Sequence, residues 1–238
     1  KGSWLTAWLN ELDSKVMGIS LNPHTTPSHF KVSKIGKNIK DIRLDIRNKK
    51  RLEKKIINFK PNFIFHLAAQ AIVGESYKNP YLTWDTNVFG TLNILESARK
   101  LKNKCSVVII TSDKCYFNRE VHYGYKETDT LGGKDPYSGS KASAEILIQS
   151  HINSFFKGNS KVRIATARAG NVIGGGDWAK NRIIPDCVRS WSKNNKAILR
   201  NPKSTRPWQH VLEAVGGYLC LAVNLAQNKK IHGESFNF

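Results

Sequence analysis

Tyr137 and Lys141 are four positions apart, and on a helix that spacing stacks two side chains on one face. A phenol ionises near pH ~10 and is a poor base at neutrality, but an adjacent ammonium stabilises the phenolate and brings it toward service as a general base. Upstream, an apolar run through Ile109 and Ile110 ends in Thr111-Ser112-Asp113-Lys114, which sets a hydroxyl, a carboxylate and an amine side by side. Ser112 can hold a substrate hydroxyl in line for Tyr137, and Asp113 and Lys114 are candidates for acid and base work. Lys114 can act as a base only where burial or neighbouring positive charge lowers its pKa. A solvated loop lysine, or a salt bridge to Asp113, is the alternative reading there.

The elements that must position these groups alternate between helix and strand. Leu5, Leu9 and Leu12 with Trp4 and Trp8 recur at helical spacing after Gly2. Strands are expected over 16–21, 41–46, 63–67 (a buried one), 107–111 and 163–169, and helices over 51–59, 80–102 and 138–156. Strands separated by helices of this length indicate an α/β fold with a parallel, doubly wound sheet. Ligands then belong at the carboxyl ends of the strands, where His66 to Gln70, Ser112 to Lys114 and Arg168 to Asn171 all fall. His66 itself reads as a packed strand-end histidine, and Trp4, Trp8, Trp84 and Trp191 as packing residues.

The 238 residues, 40% hydrophobic and 10% aromatic, suffice for one sizeable core. No apolar run approaches the ~18 residues of a membrane span, and no signal peptide is visible. Cys105, Cys115, Cys187 and Cys220 lack metal-ligand spacing and read as reduced, buried thiols of a cytoplasmic protein, with no metal site. The formal charge of +20 is spread through the chain without aromatic interleaving, as in Lys49-Lys50-Arg51, so it reads as solvated helix faces rather than a nucleic-acid surface. Such a field attracts anionic nucleotides.

His66-Leu67-Ala68-Ala69-Gln70, Thr86-Asn87-Val88-Phe89-Gly90-Thr91 and Arg168-Ala169-Gly170-Asn171-Val172-Ile173-Gly174 resemble the extended short-chain dehydrogenase/reductase family of nucleotide-sugar enzymes. Thr111 to Tyr116, Gly174-Gly175-Gly176-Asp177-Trp178 and Arg206-Pro207-Trp208-Gln209-His210-Val211 look most like the branch that dehydrates CDP-glucose. The resemblance runs from Lys1 to about Phe238. It implies a Rossmann-like sheet whose first strand and C-terminal region are missing. Residues 1–170 would form the NAD-binding domain with the catalytic residues, and 171–238 the start of a nucleotide-sugar region that returns to the sheet.

The resemblance also implies roles. Ser112, Asp113, Lys114, Tyr137 and Lys141 would be catalytic. Gly2, matching the last glycine of a phosphate loop, would contact NAD together with Ser20, Asp45, Ile46, Leu67, Ala68, Ala69, Gln70, Asn87, Tyr137 and Lys141. Asp45 and Ile46 would lie along the adenine, and Asn87 is alternatively a structural bridge. Ser20 stands where related NAD enzymes often place a ribose-binding Asp, and no Arg follows it to indicate NADP. Asn171 and Arg206 would grip the nucleotide sugar, although Arg206 could instead pair with Glu213. A homo-oligomer is expected. The implied reaction oxidises the sugar at C4, eliminates water across C5 and C6 and returns the hydride to C6. An epimerase or a dehydratase using another nucleotide, and a non-catalytic basic binding protein on the same scaffold, are the alternatives.

Overall fold

The computed structural model describes residues 1–158, 161–199 and 201–238. A first helix, α1 (Gly2–Glu11), leads to β1 (Met17–Ser20), a short α2 (His29–Val32) and β2 (Lys40–Arg43). Then follow α3 (Lys49–Phe59), β3 (Phe63–His66), α4 (Val73–Lys78), α5 (Pro80–Trp84) and α6 (Gly90–Arg99). The second half contains β4 (Cys105–Ile110), α7 (Pro136–His151), β5 (Val162–Arg168), β6 (Asn171–Ile173), α8 (Ile183–Trp191), β7 (Trp208–His210), α9 (Val211–Gln227) and β8 (Ser235–Asn237). The expected elements are all present, with ends shifted by a few residues.

Strands β3, β4, β5 and β8 form a parallel sheet in the order β3-β4-β5-β8. Its centre is β4, a run of β-branched and small residues with all six positions buried. Alternation along β4 sends Val107 and Ile109 into one layer with Leu52, Ile56, Leu95 and Ile148, and Val108 and Ile110 into the other with Ala214, Tyr218 and Leu225. Helices thus cover both faces, as the doubly wound expectation requires.

Strands β1 and β2 pair parallel as a separate two-stranded piece, yet Ile19 and Ile42 rest on the same core cluster as Ile64 of β3. The edge of β3 away from β4 carries no ladder partner among the described residues. The expected fully buried strand over 63–67 is therefore only partly buried, and Phe63 is 43% exposed. Cys220 and Trp191 also lie on the surface, against the sequence expectation, because each sits on the outward side of its helix.

The expected helix over 80–102 is α5 and α6 joined by a π-helical turn, Asp85–Phe89. Such turns widen the helix by one residue and re-aim a side chain. Here the turn contains Asn87, which is buried. The helix expected over 138–156 instead begins at Pro136 and ends in a second π turn, Ile152–Phe156. Its start is set by Asp135, whose carboxylate accepts from the Tyr137 and Ser138 backbone N–H groups at 3.0 Å each, with Pro136 in the first helical position.

Candidate active site

The Asp135 cap fixes the first turn of α7, and so places Tyr137 and Lys141 beside the carboxyl end of β4. Both side chains are buried. Ser112 leaves β4 in extended conformation and caps the one-turn 3-10 helix Asp113–Cys115, accepting from Lys114 N–H at 3.2 Å. Its hydroxyl donates to Asp113 Oδ1 at 3.0 Å. The Ser112 hydroxyl lies on the Tyr137 phenol side of the site and favours its ionised form. Burial pushes the Tyr137 phenol above its ordinary value, and Ser112 works against that rise. The phenol is therefore raised rather than lowered as the adjacent ammonium led one to expect, because burial dominates. Lys141 is itself held down to about 8, by burial and then by Lys1, with Glu145 and Cys115 opposing.

Lys114 is half-buried, and among the described residues no ion pair joins it to Asp113.

A buried polar layer underlies the pair. Glu145, one turn beyond Lys141 on α7, accepts from Arg168 Nε at 3.0 Å and Nη2 at 2.9 Å, and from the hydroxyls of Thr111 and Thr166. Arg168 Nη1 donates to the Tyr116 hydroxyl at 2.9 Å, which donates to Asn237 Oδ1 at 2.6 Å. His66 meets Thr91 Oγ1 at 3.0 Å, and burial followed by Lys141 lowers its pKa to about 3. It is a packed neutral imidazole, as the sequence suggested.

On the expected cofactor side, β3 ends in the half-buried turn Leu67-Ala68-Ala69-Gln70. Asn87 ties that turn to α7: Oδ1 accepts from Gln70 N–H at 2.8 Å, and Nδ2 donates to Gln70 O at 3.1 Å and Ser140 Oγ at 2.9 Å. It is a strut between strand end and catalytic helix. The Gln70 side chain stitches its own loop to Ile72 and Thr83. Asp45 is taken up by Arg47, with Nη2 at 2.6 Å, and hydrogen bonds from that arginine hold its carboxyl below the ordinary range. The Ile46 side chain is in the core against Gly90, which leaves its backbone to border a ligand. Ser20 is exposed at the end of β1, bonded by Arg43.

These features fit a dinucleotide. Small residues at the end of β3 let a ligand approach the backbone, and α1 opens at Gly2 without a side-chain cap, with open space where a Cβ would be. Among the described residues no cluster of His, Cys, Asp and Glu could hold a metal.

Asn171 and Arg206 come together through the backbone, because Asn171 N–H donates to Pro207 O at 3.1 Å. Gly170 makes this approach possible, since a Cβ there would stand 2.7 Å from Pro207 Cγ. Arg206 is exposed and donates to Thr205 O, and among the described residues it makes no pair with Glu213.

Four participants were not singled out from sequence. Glu145 repeats the Tyr137 and Lys141 spacing once more, a signal that was available. Lys1 lies in electrostatic reach of Asp113 and Lys141. Arg182, paired with Asp177 at 2.8 Å, lies in reach of Tyr137, and Arg43 meets Ser20 only through strand pairing.

Residues 1–234 match the family model described as GDP-mannose 4,6 dehydratase. The chain belongs to this family of nucleotide-sugar dehydratases, within the extended short-chain dehydrogenase/reductases. It is 46% identical over 242 residues to CDP-glucose 4,6-dehydratase of Salmonella typhimurium, covering 100% of this chain and 67% of that protein. CDP-paratose 2-epimerase of Salmonella typhi is 26% identical, over 81% of this chain and 62% of its own length. The fold is shared with dTDP-glucose 4,6-dehydratase from Streptomyces venezuelae, solved with NAD and DAU bound, at TM-score 0.84 and 20% identity, covering 99% of this chain and 71% of that one. UDP-glucose 4-epimerase from Thermotoga maritima aligns at TM-score 0.83 and 21% identity, over 100% and 72% of the two chains. Among the described residues no helix is long and apolar enough to cross a membrane.

Proposed function

We propose that the protein carrying this chain is an NAD-dependent lyase that converts CDP-glucose to CDP-4-dehydro-6-deoxy-glucose. The observation that carries the reading is the adjacency of Asp113 and Lys114 to Ser112 at the end of β4, with Tyr137 and Lys141 buried beside them on α7. The group has one general base for an alcohol and a separate acid and base for an elimination. Identity of 46% to a CDP-glucose 4,6-dehydratase supports the choice of sugar nucleotide. NAD, bound in the dTDP-glucose 4,6-dehydratase structure, would supply hydride acceptance at C4 and hydride return at C6.

Tyr137 takes the proton of the C4 hydroxyl while Ser112 keeps that hydroxyl in line, and Lys141 supports the charge that develops on the phenol oxygen. The C4 ketone makes the C5 hydrogen acidic. Lys114 removes that hydrogen as a proton, and Asp113 delivers a proton to the C6 hydroxyl, which departs as water. Arg206 offers its exposed planar fork to the diphosphate, with Asn171 beside it. Residues 1–170 serve the cofactor and the chemistry, and 171–238 begin the sugar-nucleotide half.

The test is incubation with NAD and, separately, the CDP, dTDP, UDP and GDP sugars, followed by mass spectrometry. A product lighter by one water from CDP-glucose supports the reading. An unchanged mass with inverted C4 configuration would make the protein an epimerase.

A further inference from the structure

The adenosine end of the proposed cofactor site has no carboxylate where one would exclude a phosphate. In the ladder between β1 and β2, Arg43 stands directly opposite Ser20 on the last rung. Arg43 Nη1 donates to Ser20 Oγ at 2.8 Å and to Leu21 O at 2.7 Å, and the guanidinium lies over the Phe30 ring, 4.5 Å from its centroid. Nη2 donates to Asp41 at 2.6 Å. Asp41 pairs with Gly18, two residues back, so its backbone lies about 6 to 7 Å behind the strand end. From Leu21 to Lys40 the chain contains Lys31, Lys34, Lys37 and Lys40 and no Asp or Glu.

We propose that Ser20 and Arg43 form a subsite for the 2′-phosphate of an adenine dinucleotide, so that the protein accepts NADP-type as well as NAD-type cofactors. This rests on the dinucleotide reading above. A carboxylate at this strand end accepts from both ribose hydroxyls and repels a 2′-phosphate; Ser20 does neither. Because Ser20 Oγ accepts from Arg43, its own hydrogen is free to donate to a phosphate oxygen. The guanidinium is already fixed by Ser20, Leu21, Phe30 and Asp41, so little side-chain freedom is lost on binding, and its Nε–H has no partner among the described residues. The Asp41 carboxylate offsets part of the charge while setting the orientation. Arg43 was invisible to a search for an Arg just after Ser20, because it comes from the neighbouring strand.

The test is calorimetric titration with adenosine 2′,5′-bisphosphate and with 5′-AMP. The bisphosphate should bind at least as tightly as 5′-AMP. Arg43→Ala and Arg43→Gln, checked for native unfolding curves, should weaken the bisphosphate about 10- to 100-fold while leaving 5′-AMP within about 3-fold. Ser20→Asp should weaken the bisphosphate selectively. A wild-type preference for 5′-AMP of about tenfold or more, or equal loss of both ligands in the Arg43 variants, would overturn the subsite. If 5′-AMP and NAD bind but the bisphosphate does not, only the subsite fails; if none of the three binds, the dinucleotide reading fails with it.

Discussion

Glu145 and Arg168 form an ion pair with both side chains at 3% exposure or less, one helical turn from Lys141. Burial works against the Arg168 charge, and the hydrogen bonds and charge of Glu145, with Cys115 and Tyr116, together more than offset it. The pair joins α7 to the end of β5, and through Tyr116 and Ser235 to β8. Removing one partner strands the other without water. Glu145→Leu should therefore cost about 3 to 5 kcal/mol in urea unfolding, whereas Glu145→Leu with Arg168→Met should cost less than the sum of the single changes. Additive losses would show that the two charges do not depend on each other.

His66 ties stability to acid. Its pKa of about 3 in the folded protein lies below the ordinary 6.5, so above 6.5 neither state carries its proton. As pH falls from 6.5 toward 3, the unfolded chain binds a proton that the folded one refuses, and stability drops by up to several kcal/mol. His66→Gln should reduce the loss between pH 7 and pH 4, read as urea midpoints. An undiminished loss would assign acid sensitivity to other groups.

How much of this was legible beforehand depends on the range of the interaction. Short apolar runs reported β3, β4 and β5 because strand burial is written locally. The Tyr137 and Lys141 pair was legible for the same reason, as one helical turn. The inward side chain of Ile46 was not legible, because it lies in a turn beyond β2 where no periodicity applies. Arg43 and Arg182 could not be seen, since one reaches Ser20 across a strand pair and the other reaches Tyr137 through tertiary placement. Asn87 owes its position to a π turn that no periodicity count reveals.

Tyr137→Phe keeps the ring and removes the ionisable hydroxyl. Turnover should fall by about 100- to 10,000-fold while sugar-nucleotide affinity stays within about 3-fold. Near-normal turnover would take Tyr137 out of the mechanism.

Arg206 has the exposed guanidinium that its proposed role requires. Arg206→Lys retains charge but loses the planar fork, so CDP-glucose should bind about 10-fold more weakly with NAD binding unchanged. Unchanged sugar-nucleotide affinity in calorimetry would leave the residue without a role in anchoring.

The central claim is that oxidation at C4 and elimination across C5 and C6 use different groups of one cluster, and Lys114→Met separates them. Run in heavy water with CDP-glucose and NAD, the wild-type protein should form a 6-deoxy product carrying deuterium at C5. The variant should still generate bound NADH, visible at 340 nm, a wavelength set by the reduced cofactor. It should show neither C5 exchange nor product release. Normal deuterium incorporation and product formation in Lys114→Met would contradict the account and leave Asp113, or a water it holds, as the base.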